Sequence, residues 1–232
     1  MASENALILL AAGSGKRMGR KIPKIFLPLA GRPLIYWSLR FLETCPTVHS
    51  IVAAVPPGLS ETFRKKVSSW RFKKVSAVVE GGRERTDSTS NAVQALPAQA
   101  KWVGIHDAAR PFVTPGLIHA VFNGAKKTGC AILAVPAKDT IKISRRSPPV
   151  IEKTVPRSQC WQAQTPQVFR RDIAEKIHVR RRAGSFTDDA SIAESLGYQV
   201  ALVPGSYENM KITTPEDLLT AERLLKKMVR KL

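Results

Sequence analysis

The sequence predicts an α/β fold, a mostly parallel sheet with helices on both faces and one protruding β-hairpin arm. Three observations predict it. Short apolar runs recur along the 232 residues and alternate with amphipathic stretches of helical length. The first run, Ala6–Ala12, is apolar throughout and passes straight into Gly13-Ser14-Gly15. A strand buried on both faces of a parallel sheet does this before a βα turn. The rhythm breaks once, over 137–166, where two strand-like runs flank a polar turn. Hydrophobic residues make up 44% of the chain, enough for one large core, so a single domain over 1–232 is expected.

The loop after the first run carries Gly13 and Gly15, which let the backbone turn sharply and approach a ligand, and then Lys16 and Arg17. Amides and cations at a strand's carboxyl end make an anion site, and ligands of open α/β sheets bind there. The spacing fits neither a Walker A loop nor the dinucleotide fingerprint, because Gly13, Gly15 and Gly19 read Gly-x-Gly-x-x-x-Gly. The plainer alternative is a glycine-rich turn with solvated cations. Downstream, Gly31-Arg32-Pro33 opens a helix with Leu34, Ile35, Trp37, Ser38, Phe41 and Leu42 on one face. Ile51–Val55 is the second strand, stopped by Pro56-Pro57-Gly58, and Glu61–Trp70 is a basic surface helix. Val75–Val79 is the third strand. Gly81 and Gly82 follow it, and Thr86, Asp87 and Ser88 can begin the next helix. This is either a capped turn or a place where Gly82 backbone groups and the Ser88 hydroxyl meet the edge of a nucleobase.

Trp102–Ile105 is the fourth strand, followed by His106-Asp107-Ala108-Ala109-Arg110-Pro111. A carboxylate there suits Mg²⁺, which takes hard oxygen ligands and leaves room for phosphates. His106 reads as structural and Arg110 as a local clamp on its loop. Gly116–Thr128 is a helix and Ala131–Val135 a strand closed by Pro136. Lys138–Ile143 and Val150–Val155 then flank the turn Ser144–Pro149. No core remains for this hairpin within the domain, so it is expected to pack on a second subunit; the alternative is an exposed flap on a monomer. Lys138, Thr140, Lys142, Lys153 and Arg157 would make its base phosphate-binding. Gln162–Phe169 leads back to the core, Asp172–Arg181 is a helix, and Phe186–Ser191 caps a helix ending near Leu196. Gln199–Val203 is the last strand. Thr214-Pro215-Glu216-Asp217 starts the final helix, and Lys211 before it either faces the phosphate site or is merely exposed.

The chain has 37 Lys and Arg against 18 Asp and Glu, a net charge of +19. That favours anionic partners. Nucleic acid is one class, but the charge is dispersed, with local clusters only at Arg180-Arg181-Arg182 and Lys226–Lys231, and no nucleic-acid-binding motif is present. Phosphorylated small molecules account for a basic site equally well. No run approaches the roughly 20 apolar residues of a membrane-spanning helix. The segment before Ala6 carries Glu4 and no cation, unlike a signal peptide. Cys45, Cys130 and Cys160 are scattered and odd in number, so a reduced, cytoplasmic setting is expected.

Several of these motifs carry a resemblance. They are Ala11-Ala12-Gly13-Ser14-Gly15-Lys16-Arg17-Met18, Pro23-Lys24, Gly81-Gly82-x-Glu84-Arg85-x-Asp87-Ser88, His106 to Pro111, Asp139-Thr140, Thr165-Pro166-Gln167, Thr187 to Ser191 and Asn209 to Thr213. In this order they resemble the sugar-phosphate nucleotidyltransferases, and within them the 2-C-methyl-D-erythritol 4-phosphate cytidylyltransferase family of non-mevalonate isoprenoid synthesis. The sister enzymes acting on ribitol 5-phosphate share most of them. The resemblance implies a Rossmann-like nucleotidyltransferase domain that joins CTP to a sugar-alcohol phosphate, releasing pyrophosphate with Mg²⁺ as cofactor. It implies Arg17 and Lys24 as catalytic cations, and Arg157 and Lys211 as the cations that position the acceptor. Ala11, Ala12, Gly13, Gly15, Gly82, Ser88 and Ala108 would bind the nucleotide, Thr140 and Thr165 the acceptor, and Asp107 the metal. It also implies a homodimer through the arm, with no membrane and no specific nucleic acid as partner. Four positions depart from the family's usual residues: Leu10 stands for Pro, Arg83 for an acid, Pro156 for the Asp before the arm arginine, and Glu208 for Asp.

Overall fold

The computed structural model describes residues 4–13, 22–145, 150–179 and 186–229. β1 (Asn5–Leu10) has Ala6 to Leu9 fully buried. Leu7 and Leu9 face one hydrophobic cluster and Ala6 and Ile8 another, on opposite sides of the sheet. A two-faced strand must be apolar throughout, which explains its sequence. Next come the short antiparallel pair β2 (Pro28–Leu29) and β3 (Arg32–Pro33), turned by Gly31 at φ 77°. α1 (Leu34–Glu43) buries Ile35, Leu39 and Leu42 toward the sheet and Leu34 and Phe41 on its other side. β4 (Ser50–Val55) is wholly buried, whereas α2 (Ser60–Ser69) buries only Phe63 and Val67, as a basic surface helix should. β5 (Val75–Glu80) is the edge strand.

α3 (Arg85–Gln94) starts earlier than expected. Thr86, Asp87 and Ser88 lie inside its first turn, and Glu84 is the N-cap. The Glu84 side chain accepts from the Asp87 backbone and the Asp87 side chain accepts from the Glu84 N–H, a closed capping box. β6 (Trp102–Asp107) runs two residues beyond its expected end, because it pairs with β1 as far as Leu10 and Asp107. α4 (Pro115–Thr128) is capped by Thr114 and ends at Gly129, φ 87°. β7 (Cys130–Pro136) follows, then the antiparallel hairpin β8 (Ile141–Ser144) and β9 (Ile151–Val155), exposed along almost its whole length. Residues 146–149 of its turn lie outside the described residues.

β10 (Trp161–Arg170) is a full strand where the sequence suggested only a return path. Gln162, Gln164 and Gln167 obscure its apolar pattern. Inside the fold, Gln164 donates to Ser206 O at 2.8 Å and Gln167 to the Asp188 carboxylate at 2.7 Å, so both amides are satisfied while buried. α5 (Arg171–Val179), α6 (Asp189–Ser195), β11 (Ala201–Pro204) and α7 (Pro215–Val229) complete the chain. Asp188 caps α6 by accepting from Ser191 N–H, as expected.

The main sheet has seven strands in the order β11-β7-β10-β6-β1-β4-β5. β10 is antiparallel to both neighbours and the other pairings are parallel. α1, α2 and α4 pack on one face, and α3, α5 and α6 on the other. α7 covers the outer side of α1 through Ala221 and Leu225, joined by Ile212 from the segment before it. The expected α/β fold with its hairpin is present. From β1 the chain winds outward to β4 and β5, then returns to place β6 on the other flank of β1. That reversal opens a crevice beyond the carboxyl ends of β1 and β6.

Candidate active site

A cavity of about 600 Å³ fills this crevice. The loop after β1 supplies Ala11, Ala12 and Gly13, the turn after β5 supplies Gly82 to Arg85 and Ser88, and β6 supplies Asp107. Lys24 and Lys211 complete the wall from distant parts of the chain. Eight of the expected site residues therefore meet on one surface: Ala11, Ala12, Gly13, Lys24, Gly82, Ser88, Asp107 and Lys211.

The nucleotide side of the wall depends on close packing. Gly81 N–H donates to Val55 O at 2.7 Å, and a Cβ on Gly81 would lie 2.2 Å from Ala12 Cβ and 2.7 Å from Ser88 Oγ. Only glycine lets the two loops approach this closely. Gly82 N–H donates to Ser88 Oγ at 3.1 Å, and Ser88 in turn donates to Glu84 O at 3.1 Å. The groups expected to read a base are thus held rigidly by one another, leaving the second lone pair of Ser88 Oγ and the Gly82 carbonyl for a ligand.

The charged side is a stitched network. Lys211 Nζ lies 2.6 Å from Asp107 Oδ2, and Arg85 Nε lies 3.6 Å from Asp107 Oδ1. Arg85 Nη1 makes its short contact, 2.7 Å, with Asp189 Oδ2. Burial pushes the Asp107 carboxyl up, but Lys211 and Arg85 outweigh burial and hold it far below the usual carboxylate range. Burial disfavours the Arg85 cation, and Asp189 and Asp107 more than restore it. Both groups stay charged. Lys24 Nζ donates to Ile212 O at 2.8 Å, and Ile212 N–H donates to Ala109 O at 2.9 Å, so the segment carrying Lys211 is tied to Lys24 and to the loop after β6.

His106 is fully buried behind the cavity. Its Nε2 pairs with Arg110 O at 3.1 Å and its Nδ1 with Thr165 Oγ1 at 3.0 Å. Burial pushes its pKa down to about 4, so it is a neutral strut, in keeping with the structural role expected. Thr165 Oγ1 also accepts from Asp107 N–H at 3.1 Å. Thr165 therefore braces Asp107 from behind and does not line the cavity. Ala108 is likewise buried, its N–H donating to Leu10 O. Arg110 departs from the local clamp expected of it. Nη1 donates to Asn209 O at 2.8 Å and Nη2 to Ala163 O at 3.4 Å, joining the loop after β6 to strand β10 and to the segment before α7. Thr140 and Arg157 sit at the exposed base of the hairpin, where Arg157 Nη1 donates to Lys138 O at 2.8 Å. This chain does not bring those two to its own cavity. Gly15 and Arg17 lie outside the described residues.

The sequence reading leaves Arg85 and Asp189 without roles, although both fall inside the motifs it singles out. They are 104 positions apart, and no local pattern links them. For a metal, the described residues hold no cluster of three or more His, Cys, Asp or Glu side chains. Of the two acidic residues lining the cavity, Glu84 is engaged in the capping box of α3, and Asp107 alone suits a Mg²⁺ ion carried mainly by phosphate oxygens, not an all-protein metal cage.

A crevice at the switch point of a mostly parallel sheet, lined by Lys24, Arg83, Arg85 and Lys211 around Asp107, has the cations and the position of a nucleotide-handling α/β enzyme. The sequence pattern of 2-C-methyl-D-erythritol 4-phosphate cytidylyltransferase matches residues 5–227, and the chain belongs to that family. It is 45% identical over 224 residues to the enzyme of that description from Pelotomaculum thermopropionicum, covering 95% of this chain and 94% of the relative. It is 46% identical to the bifunctional enzyme IspD/IspF of Desulforudis audaxviator, over 96% of this chain and 57% of that protein. Among solved structures, 4-diphosphocytidyl-2C-methyl-D-erythritol synthase from Anaerococcus prevotii superposes with a TM-score of 0.83 at 26% identity, covering 97% of this chain and all of that one. The 2-C-methyl-D-erythritol 4-phosphate cytidylyltransferase of Thermus thermophilus gives 0.76 at 31% identity, covering 94% and 98%.

Proposed function

We propose that the chain transfers CMP from CTP to 2-C-methyl-D-erythritol 4-phosphate, forming 4-diphosphocytidyl-2-C-methyl-D-erythritol and pyrophosphate. The observation that carries this reading is the meeting of Lys24, Lys211 and Asp107 on one cavity, in a chain of this family. The acceptor's phosphate oxygen attacks the α-phosphorus of CTP, a new P–O bond forms, and the bond to the departing pyrophosphate breaks. No covalent enzyme intermediate is required, so positioning and charge stabilisation supply the catalysis.

Each residue has a defined part. Ala11, Ala12, Gly13, Gly82 and Ser88 form the tight wall against the cytidine, Ala108 supports it from behind, and Gly15 is assigned to nucleotide binding by the family pattern. Lys24, with Arg17, stabilises negative charge building on the α-phosphate and the leaving group. Lys211 leaves Asp107 to take the acceptor's phosphate. Asp107 would hold Mg²⁺, which neutralises triphosphate charge and eases pyrophosphate departure. Thr165 fixes Asp107 from behind the cavity wall. Thr140 and Arg157 act from the hairpin, which reaches a second copy of the chain and completes that copy's acceptor site. The reading needs no membrane, and no helix among the described residues is long and apolar enough to cross one.

The test is pyrophosphate release with Mg²⁺ and CTP, offering 2-C-methyl-D-erythritol 4-phosphate and ribitol 5-phosphate in separate reactions. Release with the first alone is expected. Release with ribitol 5-phosphate alone would keep the chemistry and change the acceptor, with Pro156 beside Arg157 the first position to examine. Silence with both, from folded protein, would overturn the reading.

A further inference from the structure

A row of alternating charges runs from behind the cavity to its wall. Asp189 Oδ2 meets Arg85 Nη1 at 2.7 Å, Arg85 Nε approaches Asp107 Oδ1 at 3.6 Å, and Asp107 Oδ2 meets Lys211 Nζ at 2.6 Å. Arg85, Asp107 and Lys211 line the cavity; Asp189 does not. Asp189 is 1% exposed, at the first residue of α6. That helix start is secured without it. Asp188 accepts from Ser191 N–H at 3.0 Å and from Gln167 Nε2 at 2.7 Å, and Ala190 N–H donates to Gln167 Oε1 at 3.0 Å. Burial pushes the Asp189 carboxyl up and Arg85 pulls it part of the way back down, and at 2.7 Å the ion pair with Arg85 is what offsets the cost of taking that carboxylate out of water. The Arg85 guanidinium is therefore shared unequally, close to Asp189 and distant from Asp107.

We propose that Asp189 is a positioning residue for the transfer reaction: it anchors Arg85 so that the guanidinium screens Asp107 without capturing it. Asp107 then stays able to exchange partners when substrate phosphate draws Lys211 away. Without the Asp189 charge, the guanidinium closes on Asp107, which it already approaches at 3.6 Å, because the Asp188 carboxylate nearby is held by Ser191 N–H and Gln167. The inference rests on the reading that Asp107 and Lys211 both serve the transfer.

The test is a two-residue cycle with a structural readout. Asp189→Asn is expected to lower kcat about tenfold, and Arg85→Gln alone about threefold. The double variant Arg85→Gln/Asp189→Asn is expected to return to the level of Arg85→Gln, because the harm comes from the released guanidinium. A crystal structure of ligand-free Asp189→Asn is expected to show an Arg85 nitrogen within hydrogen-bond distance of Asp107. A double variant no more active than Asp189→Asn, or an Arg85 that has not moved, overturns the proposal. If Asp189→Asn fails to fold, Asp189→Glu replaces it. Its longer side chain pushes Arg85 toward Asp107, and failure of Arg85→Gln to restore activity there is equally fatal. Asp107→Asn, assayed alongside, separates the two ideas. Wild-type activity in that variant refutes the use of Asp107 in the reaction, and the position of Arg85 in the crystal structure then decides the anchoring by itself.

Discussion

At the scale of single residues, charge and burial assign the work. Lys24 faces the cavity with its ammonium steadied by the Ile212 carbonyl, so on the proposed function it is oriented before a phosphate arrives. Lys24→Ala, and likewise Arg17→Ala, should lower turnover about 10²-fold or more while CTP binding is partly retained. Steady-state kinetics beside calorimetric CTP titration checks this, and near-normal turnover would remove the role assigned to them. His106 makes a prediction about stability. Its folded pKa, about 4, is below its ordinary 6.5, so between these values the unfolded chain binds a proton that the native protein refuses. Stability should therefore fall as the pH drops from about 6.5 to about 4, by about 3 kcal/mol in total from this residue. Asp107 acts in a lower window, because its folded pKa is depressed and its contribution is lost only below its ordinary 3.8. Urea unfolding at several pH values should show a flatter profile for His106→Gln than for the wild type. Equal slopes would mean that His106 is not the buried neutral group. The sequence reads His106 as structural, just past the expected strand end at Ile105, but its place within β6 and its two partners, Arg110 O and Thr165 Oγ1, become visible only in the fold.

At the scale of elements, turn chemistry decides where the site forms. The turn between β5 and α3 works because two loops touch at Gly81. Adding one methyl there, as Gly81→Ala, places a Cβ 2.2 Å from Ala12 Cβ. Overpacking of this kind costs about 1–3 kcal/mol, and here the strain falls on the wall that should hold the base. The expected result is a thermal midpoint several degrees lower and a CTP KM raised about tenfold. Melting curves and CTP titrations check both, and an unchanged KM would separate the turn from the nucleotide. The glycine pair is readable in the sequence because so few residues permit such contact. The helix start is not. Thr86, Asp87 and Ser88 are all good caps, yet Glu84 takes the position through a reciprocal bond with Asp87. β10 is hidden for a related reason. A strand with three glutamines has no clear period-two pattern, and burying two of those amides is tolerable only because Ser206, Asn209 and Asp188 stand ready to bond them.

At the scale of the whole molecule, the hairpin β8–β9 has no core of its own. Ile143, Val150 and Ile151 are exposed at 46%, 56% and 62%, and Arg157 at its base does not line this chain's cavity. An arm completing a neighbour's site predicts that Arg157→Ala mainly raises the acceptor KM. It also predicts that mixing Arg17→Ala with Arg157→Ala protein restores some activity, since a hybrid dimer contains one intact site. No restoration after verified subunit exchange would mean that each site is built within one chain. Taken together, the sequence by itself determined the α/β class, the two glycine-bearing turns and the motifs of the family. Those are local properties: the period of apolar residues, the backbone freedom of glycine, and residue types in fixed order. Only the tertiary structure decided which of the motifs share a cavity, that Thr165 and Ala108 stand behind it, and that Asp189 reaches Arg85. Charges 104 positions apart acquire a partner only when the sheet brings α3 and α6 to the same face, and that placement depends on the packing of the whole core.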